Sequence, residues 1–437
     1  MHMLRSNPHD VHKPSPLKGR PTVVLILTWF TTVQWSGVMI GPAQVSDLVL
    51  AVIAAIIVVG PRQAGARSVP TGAWVMLAIL CAANMIALIA PPEPSWLTMR
   101  FTSAGGGQSA TRSGLGSAGL GAWAVPFKLL LATVGAWSVL QRLHQLRPES
   151  ARRLFGYAWL AGSVVSAAVA FGETKGLDLS AWLAQPFGEQ TRASGLAFYP
   201  NSAALYFATS VPVSAMLLRR RATFVPAIVA LVVLWAGLVA ADSRIALAAA
   251  AVATALLPLL CGHKPGRAAL IAFFSICFGG FIAIPALSWI TSNTRLAPGA
   301  GSGSDVGRDM VNQQSVLDFL HSPIYGLGFS DGGGGISVPL SVLSSSGIIG
   351  GLGALAFVGW AVHVGIAGWA DGDVRIMLVA GAVVLAVMCF QNNLVDRGQY
   401  IALLLAVLWS RQYRAPALNQ DVGISAWRVP MGASRTG

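Results

Sequence analysis

Apolar runs of about twenty residues recur from one end of this 437-residue chain to the other, and that repetition limits the fold more than any other feature. At a rise of about 1.5 Å per residue, one such run is long enough to cross the hydrocarbon core of a bilayer as an α-helix. Backbone amides in lipid have no water to bond, so an apolar run there must be helical or part of a closed barrel, and runs this long read as helices. Charged residues make up only 10% of the sequence, where a soluble domain carries about 25%. The runs fall at roughly 21–40, 44–60, 71–90, 122–141, 154–171, 202–218, 223–241, 245–260, 268–288, 347–368, 376–391 and 399–410. The expected fold is therefore an all-α polytopic membrane protein with about twelve transmembrane helices forming one integral domain, 21–410. Residues 1–20 and 411–437 are expected to be polar tails. No small-residue cleavage site follows the first run, which reads as a retained helix.

Lysine and arginine set the orientation. With the N-terminus inside, twenty of the 29 basic residues fall in cytoplasmic segments, and the short loops on that side are consistently the basic ones. Both termini then face the cytoplasm. The same clustering accounts for the net charge of +13 through helix orientation and anionic lipid contact, and it excludes a nucleic-acid-binding stripe. The four cysteines, Cys81, Cys261, Cys277 and Cys389, lie in or beside apolar runs without CxxC spacing, as packing residues do. No HExxH, paired Cys/His spacing or DxD is present, so no protein-built metal site is expected.

Four segments fall on the outer side: 91–121, 172–201, the tight turn 241-ADSR-244 and the longest, 289–346. Within the last, 309-DMVNQQSVLDFLHSP-323 carries Met310, Val316, Leu317 and Leu320 at spacings that predict a short amphipathic helix at the membrane surface, stopped by Pro323. The run 332-GGGG-335 has no strand before it and is not a nucleotide fingerprint.

The positive-inside rule gives outer arginines no role, which makes Arg192, Arg244 and Arg308 informative. Each begins or ends a segment that touches a span. Guanidinium stays charged and offers a planar fork that matches paired phosphate oxygens, so the three suit a diphosphate on a lipid. Headgroup anchoring competes for Arg192 and Arg244, a solvated loop charge for Arg308, and an Asp242–Arg244 ion pair across the turn is a further alternative. Pro200 marks a helix start, and Asn201 beside it can bond either backbone or ligand. Lys128 lies about 9 Å from the outer end of the fourth run, either snorkelling or facing a cavity. His321 is the one outer histidine, beside Pro323.

Taken in order, four motifs resemble those of the O-antigen ligase and O-antigen polymerase superfamily of bacterial membrane glycosyltransferases. They are 192-RASGLAFYPN-201, 243-SRIALAAAAVA-253, 307-GR-308 followed by 322-SPIYGLGF-329, and 347-GIIGGLGAL-355. The resemblance covers roughly 190–360 and extends to the largest outer loop lying between spans nine and ten. It implies a GT-C-like helical fold. It further implies transfer of glycan from an undecaprenyl-diphosphate-linked oligosaccharide donor to a glycan or lipid acceptor, outside the bacterial cytoplasmic membrane, without metal or cofactor and with inversion at the anomeric carbon. On that resemblance Arg192, Arg244 and Arg308 bind the donor diphosphate, with Asn201 and Lys128 as possible substrate contacts.

One departure stands out. Ligases in this family carry a His-Asn pair about eleven residues before the glycine matching Gly347, and this chain has Ile336 and Ser337 there. Isoleucine takes no proton. Asp309 and His321 are the leading candidate bases, with Asp331 and Glu189 behind them. The missing histidine favours a polymerase over a ligase. A transporter or glycan exporter is the competing class, since twelve spans with both ends inside is also a transporter layout.

Overall fold

The computed structural model describes residues 20–40, 43–59, 71–89, 123, 125–143, 148–179, 182–183, 192–262, 302–329, 337–391, 394, 396 and 398–412. The expected span at 268–288, both tails apart from Arg20, Arg411 and Gln412, and the candidates Glu189 and Asp331 lie outside these residues, as does Ile336.

The described chain is helical. Its helices are α1 (Arg20–Thr32), α2 (Val45–Val59), α3 (Thr71–Ile89), α4 (Ala136–Leu143), α5 (Pro148–Glu173), α6 (Pro200–Leu218), α7 (Phe224–Ala241), α8 (Arg244–Cys261), α9 (Ser302–His321), α10 (Val338–Ile366), α11 (Gly372–Met388) and α12 (Ile401–Gln412). A helical stretch at 125–130 and a π-helical turn at Leu131–Gly135 lead into α4. Six helices among the described residues are long and apolar enough to cross a membrane, while α1, α2 and α12 contain shorter apolar helices. Large apolar side chains such as Trp74, Val225, Val252, Leu352 and Leu355 point outward, a surface that suits lipid rather than water.

The first run departs from expectation. Its helix stops at Thr32, and the chain turns to bond the segment ahead of α6. Gly37 donates its amide to Leu196 O at 3.0 Å, and Ser36 Oγ accepts from the Phe198 amide at 3.0 Å. The Trp35 indole donates to Gly162 O at 3.0 Å. A two-residue hairpin, Met39–Ile40 with Ala43–Gln44, returns the chain to α2.

Helix α6 is the axis of the bundle. Every residue in it except Asn201 is buried, and it packs against α5, α7, α8 and α11. Its small residues allow close approach, and several of its hydroxyls bond its own backbone: Thr209 donates to Leu205 O and Ser210 to Tyr206 O, both at 2.7 Å. Ser210 also joins a buried knot with Ser163, Gln34 and the Trp159 indole.

Ionic contacts tie one end of the bundle together. Arg152 Nη1 contacts Asp371 at 2.8 Å and Asp373 at 3.1 Å, and stacks 5.2 Å from the Trp409 ring. Arg219 contacts Asp373 at 2.8 Å and donates to the Leu260 and Gly372 carbonyls. Ends of α5, α6, α8, α11 and α12 therefore meet there. Burial pushes the Arg219 pKa down from its ordinary value, an effect opposed by the Asp373 charge.

At the other end, α10 is broken at Gly347 (φ 61°, ψ −162°), a backbone shape open in practice only to glycine. The break frees backbone groups, and the loop after α9 takes them up. Leu327 and Gly328 donate to Ser344 O and Ser345 O, each at 2.9 Å. The Ile348 and Ile349 amides donate to Pro323 O and Ile324 O at 2.8 and 3.1 Å. Irregular backbone within an apolar bundle is stable when its polar groups are paired in this way.

Candidate functional site

The segment that carries Arg192 is shaped from below by Glu173, the last residue of α5. Glu173 Oε2 accepts from the Ser194 and Gly195 amides at 2.8 and 3.0 Å. Gly195 sits at φ 55°, with Ser166 O 2.3 Å from where a Cβ would stand, so only glycine fits. The turn delivers the Arg192 guanidinium between two helix ends. Its Nε and Nη2 donate to Ala241 O at 3.0 and 2.7 Å, and Nη2 donates to Asn201 Oδ1 at 2.8 Å. Arg192 thereby complements the negative end of α7 and holds the first turn of α6 against it.

Asp242 follows α7 in the left-handed conformation, φ 46°, and turns the chain sharply into α8. Ser243 is the N-cap of α8, but its hydroxyl caps no backbone amide. It accepts instead from Gln391 Nε2 at 2.6 Å. Arg244 is the first residue of α8.

These groups border one cavity of about 400 Å³. Arg192, Asn201, Asp242, Ser243 and Arg244 line one side. Asp309 and Asn312 from α9, and Ser337 and Leu340 from the start of α10, line another. Cys389, Phe390 and Gln391, which follow α11, complete the wall. Arg308 lies in α9 immediately before Asp309 and one turn before Asn312; its side chain is outside the described residues.

Three helix N-termini, those of α6, α8 and α10, converge on this cavity. Unsatisfied amides leave each N-terminus with about half a positive charge. Neither α6 nor α8 has a side-chain cap, whereas in α10 Ser337 Oγ accepts from the Leu340 amide at 3.4 Å. Two guanidiniums and two carboxylates balance in formal charge among the lining residues, so the helix ends tip the cavity toward anions. Just outside, Tyr199 is the N-cap of α6, and burial, then the Asp396 charge, push its hydroxyl pKa up.

Of the residues singled out from sequence, Arg192, Arg244, Asn201 and Asp309 come together here. His321 does not line the cavity: it is exposed at the last position of α9, about 18 Å along the helix from Asp309. Lys128 also lies away from it, half-buried in the helical stretch 125–130. Sequence reasoning missed Glu173, Asn312 and Gln391. The available signals were an acid and an amide at the ends of apolar runs, where lipid-facing positions tolerate neither. Asn312 sits on the expected α9 helix, but its face could not be assigned without α10.

A scan against known protein families finds no matching profile, and no characterised protein matches the sequence. Fold and site together define a helical membrane protein with a polar cavity at one end of its bundle, lined by two arginines, two aspartates and three helix N-termini.

Proposed function

We propose that the protein is a glycosyltransferase that uses an undecaprenyl-diphosphate-linked oligosaccharide on the outer face of a bacterial cytoplasmic membrane. Polymerisation is the favoured outcome and ligation to a different acceptor the alternative. One observation carries this reading: Arg192, Arg244 and three helix N-termini surround a single cavity that also contains the Asp309 carboxylate. Arg308, one residue from Asp309 on the same helix, is the third arginine of the clamp.

In this reading the chain spans the membrane about twelve times with both termini in the cytoplasm. The Arg152–Asp371–Asp373–Arg219 cluster at the opposite end supports that orientation, since Arg220, Arg221, Arg375 and Arg411 gather near it in sequence and the cytoplasmic side is the basic one. Met310, Val316, Leu317 and Leu320 of α9 are exposed, which suits a helix resting in the outer leaflet beside the isoprenoid tail.

The reaction follows from the charges. A sugar hydroxyl of the acceptor attacks the anomeric carbon of the donor from the side opposite the diphosphate. The new C–O bond forms as the bond to the diphosphate oxygen breaks, which inverts the centre. The bonding pair leaves on the diphosphate, where fixed guanidiniums and helix dipoles stabilise it. The hydroxyl proton passes to the Asp309 carboxylate. Asp309 takes this role over His321 because it lines the cavity with both arginines.

Reconstitution with a lipid-linked oligosaccharide tests the reading. Wild-type protein gives a ladder of longer lipid-linked glycans, or a single transfer if it is a ligase. Arg244→Ala and Arg308→Ala each lower turnover by about 10²–10³. Asp309→Asn abolishes turnover while donor binding persists. Full activity in all three variants overturns the proposal.

A further inference from the structure

Two amide groups in the cavity wall have oxygens that no group among the described residues uses. Gln391 is 5% exposed, and its Nε2 is fixed on Ser243 Oγ at 2.6 Å. Its Oε1 is buried and makes no hydrogen bond among the described residues. Asn312 Oδ1, in the lining of the same cavity, is likewise buried without a hydrogen bond among the described residues. A buried amide oxygen left unbonded is costly, so two around one cavity point to a ligand. Phe390, an aromatic side chain that is 56% exposed, lines the same cavity. An amide oxygen only accepts, so these two oxygens and an open aromatic ring do not recognise a phosphate anion. They suit a molecule with hydroxyls on its edge and C–H groups on its face.

We infer that Gln391, Asn312 and Phe390 form a pyranose-binding subsite beside the arginines. The amides bond ring hydroxyls, and the Phe390 ring packs on the apolar sugar face. This rests on the diphosphate reading of the cavity, and it assigns the sugar nearest the diphosphate to these residues. The amides then determine which ring hydroxyls the enzyme accepts.

Binding to full-length protein in nanodiscs separates the two ideas. The probes are undecaprenyl diphosphate, undecaprenyl diphosphate carrying one glucose, and free glucose oligosaccharide, each titrated against wild type, Gln391→Met and Asn312→Leu. The expected result is that wild type binds the glucose-bearing carrier more tightly than the bare one. Each variant loses about threefold to tenfold for the glucose-bearing carrier, as for one neutral hydrogen bond, and nothing for the bare carrier. Asn312→Leu leaves the Gln391–Ser243 bond intact and keeps the test informative if Gln391→Met misfolds. Bare and glucosylated carrier bound equally by wild type, or weakened equally by both variants, overturns the subsite alone. A variant loss confined to free oligosaccharide moves these residues to the acceptor and overturns the donor assignment. Failure of wild type to bind the bare carrier overturns the diphosphate reading, and the subsite with it.

Discussion

Replacing Gly347 with alanine should separate the α9 loop from α10. Gly347 has φ 61° and ψ −162°, and holding a residue with a Cβ in so sparse a region costs about 1–3 kcal/mol. The added carbon would also sit 2.4 Å from Ile324 C and O, and 2.5 Å from Tyr325 N. These are backbone atoms that cannot rotate away. Relief requires the 323–328 loop to withdraw, which breaks the four backbone hydrogen bonds that join it to 344–349. At about 0.5–1.5 kcal/mol net each, that adds about 2–6 kcal/mol. The sum is about 3–9 kcal/mol, a large share of the total stability of a typical domain. Gly359 in the same helix is the control, because a Cβ there meets nothing within 4 Å. Thermal unfolding in detergent should show Gly347→Ala lowered by about 5 °C or more, with Gly359→Ala unchanged or slightly raised by its better helix propensity. Equal midpoints for the two variants and wild type would refute the account of the break.

Glu173→Ala removes the acceptor for two amides of the Arg192 turn, and should cost about 2–6 kcal/mol at about 1–3 per orphaned donor; Glu173→Gln, whose amide oxygen can still accept, should retain most of the melting temperature. Arg219→Ala leaves Asp373 with Arg152 as its remaining ion-pair partner among the described residues, and a loss of about 2–3 kcal/mol is expected by comparison with broken buried pairs. Arg153→Ala removes a pair whose side chains are 46% and 82% exposed and should leave the midpoint within error. A protein keeping only Cys389, which is exposed in the cavity wall, should react with a membrane-impermeant maleimide added to intact cells. Labelling that requires lysis would reverse the proposed orientation.

Apolar run length made the helices legible, because any segment buried in lipid must bond its own backbone. Eleven of the expected runs overlap helical segments of the described chain, the first only as far as Thr32. Helix ends at polar junctions were harder. The α1 boundary at Thr32 depends on Gly37 and Ser36 finding partners at 196–198, a long-range event that no local apolarity records. In the site, arginines on the non-basic side were conspicuous by charge asymmetry. Glu173, Gln391 and the convergence of three helix N-termini depend on which run ends meet, which periodicity does not encode. The α9 helix was expected near 309–323 and begins earlier, at Ser302, because glycines and serines ahead of Asp309 obscured its start.

The ion-pair cluster beneath the bundle acts as a hub. Arg152, Arg219, Asp371 and Asp373 fasten the feet of several helices, while at the far tips single charged groups, Arg192 and Glu173, bond backbone and amide partners. Ends of α5, α6, α8, α11 and α12 share those four side chains, so loss of one of them loosens several helices at once.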